Sequence, residues 1–301
     1  METKEKQHIT DTLGKFIQNA GSQNKAATQL GVAPATLSAI RSGKWEAISD
    51  DMWSTIAHGI GITRTAAEWN ISTATQAYQH ISYILADAQQ NAMAYWLTGE
   101  AGCGKTTTAR QYAMTHRGVF YIQCSIDMKR SHFVTAVATA IGIRTTSHYP
   151  YEIWEDITQE LTRMEQPPVL IFDEADKLSD SVFQYFIDLY NKTYGQCGIV
   201  WMSTDSIKVR FDRGLKWSRQ GYKEIFSRIG QKFNDLPATT VQDVVAVCHA
   251  NGVTDRSAVE EIATQTQQSG FDMRHVKKQI HKYYKVQSAR KETSRHEQHQ
   301  D

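Results

Sequence analysis

One short stretch, GEAGCGKT from Gly99 to Thr106, constrains the fold more than any other part of the chain. It matches the pattern G-x-x-x-x-G-K-[ST] in full, and it lies between a predicted strand and a predicted helix. Glycines let such a loop curl so that successive backbone N–H groups face a phosphate, and the dipole of the following helix adds to the attraction. The motif therefore predicts a phosphate-binding loop at the end of a strand.

Different positions of this loop are expected to do different parts of the chemistry. Lys105 is expected to reach the β- and γ-phosphates of a nucleotide, and the Thr106 hydroxyl to ligate Mg²⁺. ATP and Mg²⁺ are thus the predicted cofactors. The predicted ATP-binding residues of the loop are Gly99, Glu100, Ala101, Gly102, Cys103, Gly104, Lys105, Thr106 and Thr107.

A second motif, VLIFDEAD, begins at Val169. Its four apolar residues predict a buried strand that ends in Asp173 and Glu174. Asp173 is expected to hold the Mg²⁺ shell, and Glu174 to polarise the attacking water as a general base. The alternative is that both acids cap the next helix, but the phosphate-binding loop upstream favours the catalytic interpretation.

The letters DEAD are also the signature of a helicase family. A helicase of that kind needs two recombinase-like domains, and the chain after this motif is predicted to be mostly helical. We therefore expect the spelling to be coincidental, with Ala175 and Asp176 beginning a loop.

The order of predicted elements indicates an α/β fold with a helical region on each side. Helix and strand patterns alternate after a polar linker, TRTAAEWNISTATQ, which argues for a parallel sheet covered by helices. The predicted parts are a helix-turn-helix domain at 1–70, an ATPase core at 71–236, a helical lid at 237–290 and a disordered tail at 291–301.

The N-terminal stretch NKAATQLGVAPATLSAIRSGKW resembles a helix-turn-helix of the phage-repressor type, with Gly31 at the tight turn. Its second helix would present Thr36, Ser38 and Arg41 to a DNA groove, with Lys44 near a phosphate. These side chains offer few bidentate contacts to bases, which favours weak or non-specific DNA binding. The alternative, a small helical module that docks a protein, stays open.

Charge and cysteine content narrow the class of protein. The net charge is +1, so a surface for nucleic acid must be local, and three basic clusters supply candidates: DMKRSHF, DSIKVRFDRGLKWSRQGYKEIFSR and the C-terminal helix. The four cysteines form no C-x-x-C pair, as expected of reduced thiols in a cytoplasmic protein. The N-terminus is polar, and no apolar run is long enough to cross a membrane. We therefore expect no signal peptide, no membrane span and no membrane partner.

From about residue 75 to 290 the chain resembles the AAA+ ATPases, a P-loop NTPase family with a small α-helical lid. The resemblance implies that Thr204 is the sensor-1 residue, although this family often has Asn there. It also implies that Arg228 of IFSRIGQKFNDLP is an arginine finger supplied to a neighbouring subunit, and that Arg274 of SGFDMRHV is a sensor-2 residue. A surface ion pair is the alternative for each arginine. Related ATPase rings contact DNA at the position of Lys129 and Arg130.

The succession of a helix-turn-helix and a short AAA+ module resembles the DNA transposition protein B family of phage Mu and its prophage relatives. The resemblance implies an ATPase, stimulated by DNA or a partner, that converts ATP to ADP and phosphate. It implies homo-oligomers or filaments on double-stranded DNA, delivery of target DNA, and activation of a DDE transposase in a bacterial or phage-infected cell. Two alternatives remain: an AAA+ loader for replication or plasmid maintenance, and an ATP-sensing transcriptional regulator without significant turnover.

Overall fold

The structure, a computed structural model, describes residues 1–62 and 69–297, with the side chains of 290–297 excepted. Part of the predicted linker, residues 63–68, lies outside the described residues, as do residues 298–301 of the predicted disordered tail.

The chain divides into two compact units. The N-terminal helices share the first unit with most of the sheet, and the phosphate-binding loop shares the second with the C-terminal helices. The first unit comprises Met1–Glu68, Ser82–Thr98 and Ala109–Asn234, and the second comprises Trp69–Ile81, Gly99–Thr108 and Asp235–Asp301. The domain boundaries inferred from the sequence stay predictions.

A five-stranded sheet, in the order β2-β3-β4-β1-β5, forms the centre of the fold. The neighbours β1 and β4, β3 and β4, and β2 and β3 all pair in parallel, which confirms the predicted α/β architecture. The strands are β1 (Ala94–Thr98), β2 (Val119–Gln123), β3 (Val169–Asp173), β4 (Gly198–Ser203) and β5 (Asn234–Asp235).

Fourteen α-helices are seen in the described part of the chain. The first eight are α1 (Thr3–Ala20), α2 (Gln23–Leu30), α3 (Pro34–Arg41), α4 (Asp50–Gly59), α5 (Gln76–Asn91), α6 (Lys105–Thr115), α7 (Arg130–Ile141) and α8 (Pro150–Arg163). The remaining six are α9 (Asp180–Lys192), α10 (Ser206–Lys216), α11 (Tyr222–Arg228), α12 (Val241–Ala250), α13 (Arg256–Gln267) and α14 (Met273–Glu297).

Aromatic side chains pack across the sheet and fix its register. Trp96 on β1 lies opposite Trp201 on β4, and their rings stack with centroids 5.5 Å apart. Phe172 on β3 is the next partner of Trp201, at 6.5 Å. Phe183 and Phe186 of α9 cover this row and are also buried. Slipping a strand by one residue would turn these large rings to the opposite face, so their burial holds the register.

The N-terminal helices α1 to α4 enclose a small apolar core of their own. Leu13, Leu37 and Trp53 are fully buried in it. Gly31, at φ +66°, ends α2 in the left-handed conformation that glycine adopts without strain, and Pro34 begins α3. Two helices therefore lie where the sequence predicts them, while the identification of the pair as a DNA-binding helix-turn-helix stays a prediction.

Helix α2 packs against helices α7 and α8 of the first unit. The Lys25 ammonium lies 2.6 Å from the Glu160 carboxylate of α8, and the Gln29 amide donates to the Ala140 carbonyl of α7 at 2.8 Å. Gly142, at φ +87°, ends α7 directly beneath α2, and a Cβ atom placed on it would lie 2.8 Å from Cβ of Lys25. The close approach of the two helices therefore depends on a glycine at this position.

The second unit is built around helices α12 to α14. Val244, Cys248 and Val276 are fully buried between them. Thr240 begins α12 with a capping box, in which its hydroxyl accepts from the Asp243 amide and the Asp243 carboxylate accepts from the Thr240 amide.

Helix α14 extends into the segment 291–301, for which disorder stays a prediction. The structure continues the helix to Glu297, whereas disorder is predicted from residue 291. The segment KETSRHE contains neither glycine nor proline, so nothing in its sequence ends a helix that is already formed. Among the described helices, none combines the length and the hydropathy needed to cross a membrane.

The contact beneath α2 leads to a stability prediction. Gly142→Ala places a methyl group in a left-handed conformation and against Lys25, whereas Gly31→Ala meets the same backbone strain with nothing within 4 Å. We expect Gly31→Ala to lower the free energy of unfolding by about 1 kcal/mol and Gly142→Ala by about 1–3 kcal/mol more, measured by urea denaturation. Equal losses would contradict the close packing of α2 on α7.

Candidate nucleotide-binding site

Parallel pairing brings several strand ends to one edge of the sheet. Thr98 at the end of β1 lies opposite Ser203 at the end of β4, and Gln123 at the end of β2 lies opposite Asp173 at the end of β3. The carboxyl edge of the sheet therefore carries Asp173 together with Glu174 and Thr204, which directly follow β3 and β4 in the chain. In open α/β folds, ligands bind at this edge.

The phosphate-binding loop has the backbone conformation that its glycines predict. Gly102 has φ +83° and Gly104 has φ +100°, both in the left-handed region where a side chain is strained. Lys105 begins α6, and its ammonium donates to the carbonyl oxygens of Gly99 at 2.7 Å and Glu100 at 2.8 Å. A cation and a helix N-terminus thus lie beside a glycine-lined turn, which is a fit for the phosphates of a nucleotide.

The first turn of α14 packs on this loop within the second unit. The Met273 amide donates to the Gly102 carbonyl at 3.0 Å, and a Cβ atom on Gly102 would lie 2.3 Å from Cγ of Asp272. The Arg274 amide donates to the Asp272 carboxylate at 2.7 Å, and the Arg274 side chain is exposed. The structure thus places the first turn of α14 beside the loop, while the sensor function of Arg274 stays a prediction.

Asp272 is a neighbour of the loop that the sequence analysis missed. An aspartate just before the first helical residue is a common helix cap, and this pattern in the sequence indicates that a helix begins after Asp272. Only the packing of α14 shows that this carboxylate also covers Gly102.

The two acids at the end of β3 are held differently. The Asp173 carboxylate is almost fully buried and accepts hydrogen bonds from the Tyr121 hydroxyl at 2.8 Å and from the Glu174 amide at 3.0 Å. Glu174 has φ +57°, a conformation that costs a non-glycine residue about 1–2 kcal/mol. Its carboxylate lies 2.6 Å from the Lys177 ammonium. Strain of this kind often accompanies functional sites, and neither acid caps α9, which begins later at Asp180.

The last residue of the DEAD spelling makes contacts that were not predicted. Ala175–Lys177 forms a short 3-10 helix. The Asp176 carboxylate accepts from the hydroxyls of Thr204 at 3.3 Å and Ser206 at 3.2 Å. Thr204 is therefore linked to the acidic segment by way of Asp176, while its function as a sensor stays a prediction.

The pKa values around Asp173 indicate which groups remain neutral. Burial raises the pKa of the Cys124 thiol, and the charges of Asp173, Glu174 and Asp176 raise it further. Burial and the adjacent Asp173 carboxylate raise the pKa of Tyr121 in the same way. Cys124 therefore stays a thiol at neutral pH.

Arg228 lies at the end of α11 and is held by groups of α9 and α11. Its guanidinium donates to the Asn191 side chain at 2.8 Å and the Glu224 carbonyl at 2.9 Å, and lies 5.3 Å from the centre of the Tyr190 ring. Its buried Nε has no hydrogen-bond partner among the described residues. These partners are neutral, so the surface ion pair weighed as the alternative is not seen in the described part of the chain.

Arg210 corrects the interpretation of one basic cluster. The sequence counts it toward a phosphate-binding surface, but its guanidinium donates inward to the Leu178 carbonyl at 2.7 Å, the Tyr222 hydroxyl at 2.8 Å and the Asp180 carboxylate at 2.5 Å. It also lies 4.2 Å from the centre of the Phe183 ring. Arg210 joins α9, α10 and α11 and does not face solvent as a free cation.

Asp180 is the anionic partner in this network. Burial alone would raise its pKa, but hydrogen bonds from Tyr222 and Arg210, together with the arginine charges, hold the pKa below its usual value. The carboxylate therefore stays ionised at neutral pH and keeps Arg210 in place.

The candidate DNA contacts lie on accessible surfaces. Ser38, Arg41 and Lys44 are exposed near the end of α3, and Thr36 is half-buried. Gln23 of α2 donates to the Ser38 hydroxyl at 2.6 Å and accepts from Arg41 at 3.1 Å. Lys129 and Arg130 are exposed where α7 begins. Thr36, Ser38 and Arg41 lie on α3 and Lys44 follows it, and DNA contact stays a prediction for both groups.

Comparison with known proteins agrees with this architecture. A family model described as an AAA domain matches residues 88–204. No curated protein matches the chain.

Similar solved structures include the Orc1 protein of Aeropyrum pernix in complex with DNA, at 18% identity and TM-score 0.49, and Cdc6p from Pyrobaculum aerophilum, at 16% and 0.46. These alignments cover 66% and 62% of this chain, but only 56% and 53% of the other chains. The RuvB Holliday junction branch migration motor of Thermotoga maritima aligns at 15% identity and TM-score 0.34, over 68% of this chain and 67% of its own.

The predicted fold class is confirmed. The described part of the chain has a five-stranded sheet with flanking helices, and residues 88–204 within it match an AAA domain.

The Arg210 network leads to a second stability prediction. Arg210→Met removes the guanidinium that donates to the Asp180 carboxylate and to the carbonyls of Asp176 and Leu178. We expect it to lower the free energy of unfolding by about 2–4 kcal/mol. Arg213→Met, an exposed position on the same helix, should change it by no more than about 0.5 kcal/mol.

The pH dependence provides the control for the Arg210 substitution. Because the folded state lowers the pKa of Asp180, its contribution is present above the ordinary pKa of about 4 and is lost as pH falls through the lowered value. The difference between wild type and Arg210→Met should therefore shrink in acid. A pH-independent difference, or equal effects at Arg210 and Arg213, would contradict the network.

Proposed function

We propose that this protein is an ATPase that binds double-stranded DNA with little sequence preference and works as a homo-oligomer. The observation that carries the proposal is the joint presence of a glycine-shaped phosphate loop, with Lys105 at a helix N-terminus, and of Asp173 and Glu174 at the carboxyl edge of an AAA+ sheet. The reaction is hydrolysis of ATP to ADP and phosphate, stimulated by DNA or by a partner protein.

The loop binds the nucleotide. Its backbone N–H groups and the ammonium of Lys105 neutralise the phosphate charge, for which the ammonium exchanges its bonds to Gly99 and Glu100. The ATP-binding residues are Gly99, Glu100, Ala101, Gly102, Cys103, Gly104, Lys105, Thr106 and Thr107, with Arg274 from the start of α14.

Asp173 and the Thr106 hydroxyl hold Mg²⁺, a hard cation that prefers oxygen ligands. Mg²⁺ bound there neutralises phosphate charge during the reaction. Among the described residues no cluster of three or more His, Cys, Asp or Glu side chains could hold a metal.

Glu174 acts as the general base for water. To do so, its carboxylate must leave the Lys177 ammonium, which lies on the same short turn. The two carboxylates have different partners, since Asp173 accepts from Tyr121 and Glu174 lies against Lys177.

Arg228 supplies an arginine finger to a neighbouring subunit. The position of Arg228 at the end of α11 supports this role. There the side chain is partly exposed, and it has neutral partners that it can exchange for phosphate oxygens. Thr204 senses the nucleotide through its hydroxyl, which donates a hydrogen bond to the Asp176 carboxylate.

Two surfaces bind DNA phosphates. Lys129 and Arg130 at the start of α7 form one, and Arg41 and Lys44 near α3 form the other, with Thr36 and Ser38 against the groove. Hydroxyl groups and single cations read few bases, so affinity should depend on salt more than on sequence.

The place of this activity in the cell rests on the resemblance to the DNA transposition protein B family of phage Mu. On that basis the protein assembles as a filament on target DNA in the cytoplasm and activates a DDE transposase. A loader for replication or plasmid maintenance has the same site chemistry, and the partner protein distinguishes the two. If the purified protein hydrolyses ATP at a measurable rate, the alternative of a regulator that binds ATP without turnover is excluded.

A mixing experiment tests the shared site. Glu174→Gln subunits keep the finger but lose the base, and Arg228→Ala subunits keep the base but lose the finger. Each variant alone should hydrolyse ATP about 100-fold more slowly than wild type or worse, while each still binds ATP. Mixed on DNA, the two should recover part of the activity, measured as phosphate release.

The control is a mixture of Glu174→Gln with Lys105→Ala, in which no site has both a bound nucleotide and its own base. Glu174→Gln with Lys105→Ala should recover nothing. If Glu174→Gln with Arg228→Ala also recovers nothing beyond the sum of the separate rates, Arg228 does not act across a subunit boundary and the shared-site proposal is wrong.

A further inference from the structure

Tyr121 contacts the buried carboxylate of Asp173 from the neighbouring strand. Its hydroxyl donates to Asp173 Oδ2 at 2.8 Å, and the Glu174 amide donates to Asp173 Oδ1 at 3.0 Å. Each carboxylate oxygen therefore has a hydrogen bond from the protein, and the plane of the carboxylate is fixed.

The Tyr121 ring is itself held in place. The guanidinium of Arg110 lies 5.2 Å from the ring centre, and it also donates to the Gln123 side chain at 2.5 Å. Gln123 is the β2 residue that pairs with Asp173 in the sheet. Arg110 is therefore fixed at one end by the same strand pair that carries the carboxylate, and its contact with the ring restricts where the hydroxyl can point.

We propose that Tyr121, held by Arg110, is a positioning residue that orients the Asp173 carboxylate for the divalent cation that accompanies the nucleotide. The proposal rests on the proposed ATPase function and adds residues to which neither motif points. Arg110 lies on α6, the helix that Lys105 begins, so the segment that follows the phosphate loop also restrains the metal-holding acid.

The physical reason is the cost of an unoriented ligand. A carboxylate that can rotate loses conformational freedom when it binds a cation, and a fixed one does not. Outer hydrogen-bond partners of metal ligands typically change metal affinity by about 10–100-fold. Tyr121→Phe removes one hydroxyl and keeps the ring under Arg110, so it tests the hydrogen bond alone.

The experiment measures metal binding directly, without turnover. Wild type and Tyr121→Phe are saturated with a non-hydrolysable ATP analogue and titrated with Mn²⁺, and free Mn²⁺ is followed by electron paramagnetic resonance. We expect Tyr121→Phe to bind Mn²⁺ about 10-fold more weakly, and to bind the analogue in EDTA as wild type does. Arg110→Met, which keeps the hydroxyl, should weaken Mn²⁺ binding by a smaller factor.

Tyr95→Phe is a matched control. Tyr95 on β1 donates its hydroxyl to Asp87 of α5, so the substitution removes the same group from another tyrosine–aspartate pair in the same sheet. Its Mn²⁺ affinity should stay within about twofold of wild type, since Asp87 holds no metal. Thermal unfolding of all three variants shows whether each is folded.

The outcomes separate this inference from the proposed function. If wild type binds Mn²⁺ with the analogue and Tyr121→Phe binds it equally well, the positioning role is wrong and the ATPase proposal stands. If Tyr95→Phe loses as much affinity as Tyr121→Phe, the effect belongs to the sheet and the positioning role is again wrong. If wild type binds the analogue but no Mn²⁺, the proposed function itself is wrong, and the inference with it.

Discussion

The parallel hydrogen-bonded ladder between β1, β4, β3 and β2 is the constraint on which the rest of the structure depends. The buried rings of Trp96, Trp201 and Phe172 contact one another across it, and a shifted register would break these contacts. Because the ladder is parallel, every strand ends at the same edge. Asp173 and Thr204 are neighbours there for that reason, although far apart in sequence.

Charged groups at this edge are restrained by their neighbours. Asp173 accepts bonds from the Tyr121 hydroxyl and the Glu174 amide, and Glu174 is paired with Lys177. Restraint of this kind reduces the reorganisation that a site must undergo when charge develops. Arg210 is restrained in the same way, because its guanidinium joins three helices inside the protein.

The sequence predicts most of the fold and the main site residues because those signals are local. A glycine pattern determines the phosphate loop, and an apolar run ending in two acids determines β3 and its edge position. The contacts of Asp176 with Thr204, of Asp272 with Gly102, and of Tyr121 with Asp173 are absent from any local pattern. They join residues brought together only by the sheet register or by the packing of α14, and so the sequence does not reveal them.

The central claim, that this chain hydrolyses ATP at the loop and acidic pair, is tested most directly by phosphate release from Mg²⁺-ATP by the purified protein. The assay is run with and without duplex DNA, with Lys105→Ala as the background protein. The account predicts release by wild type that rises when DNA is added, and release by Lys105→Ala that stays at the level of buffer. Wild-type release no greater than that of Lys105→Ala, with and without DNA, would contradict it.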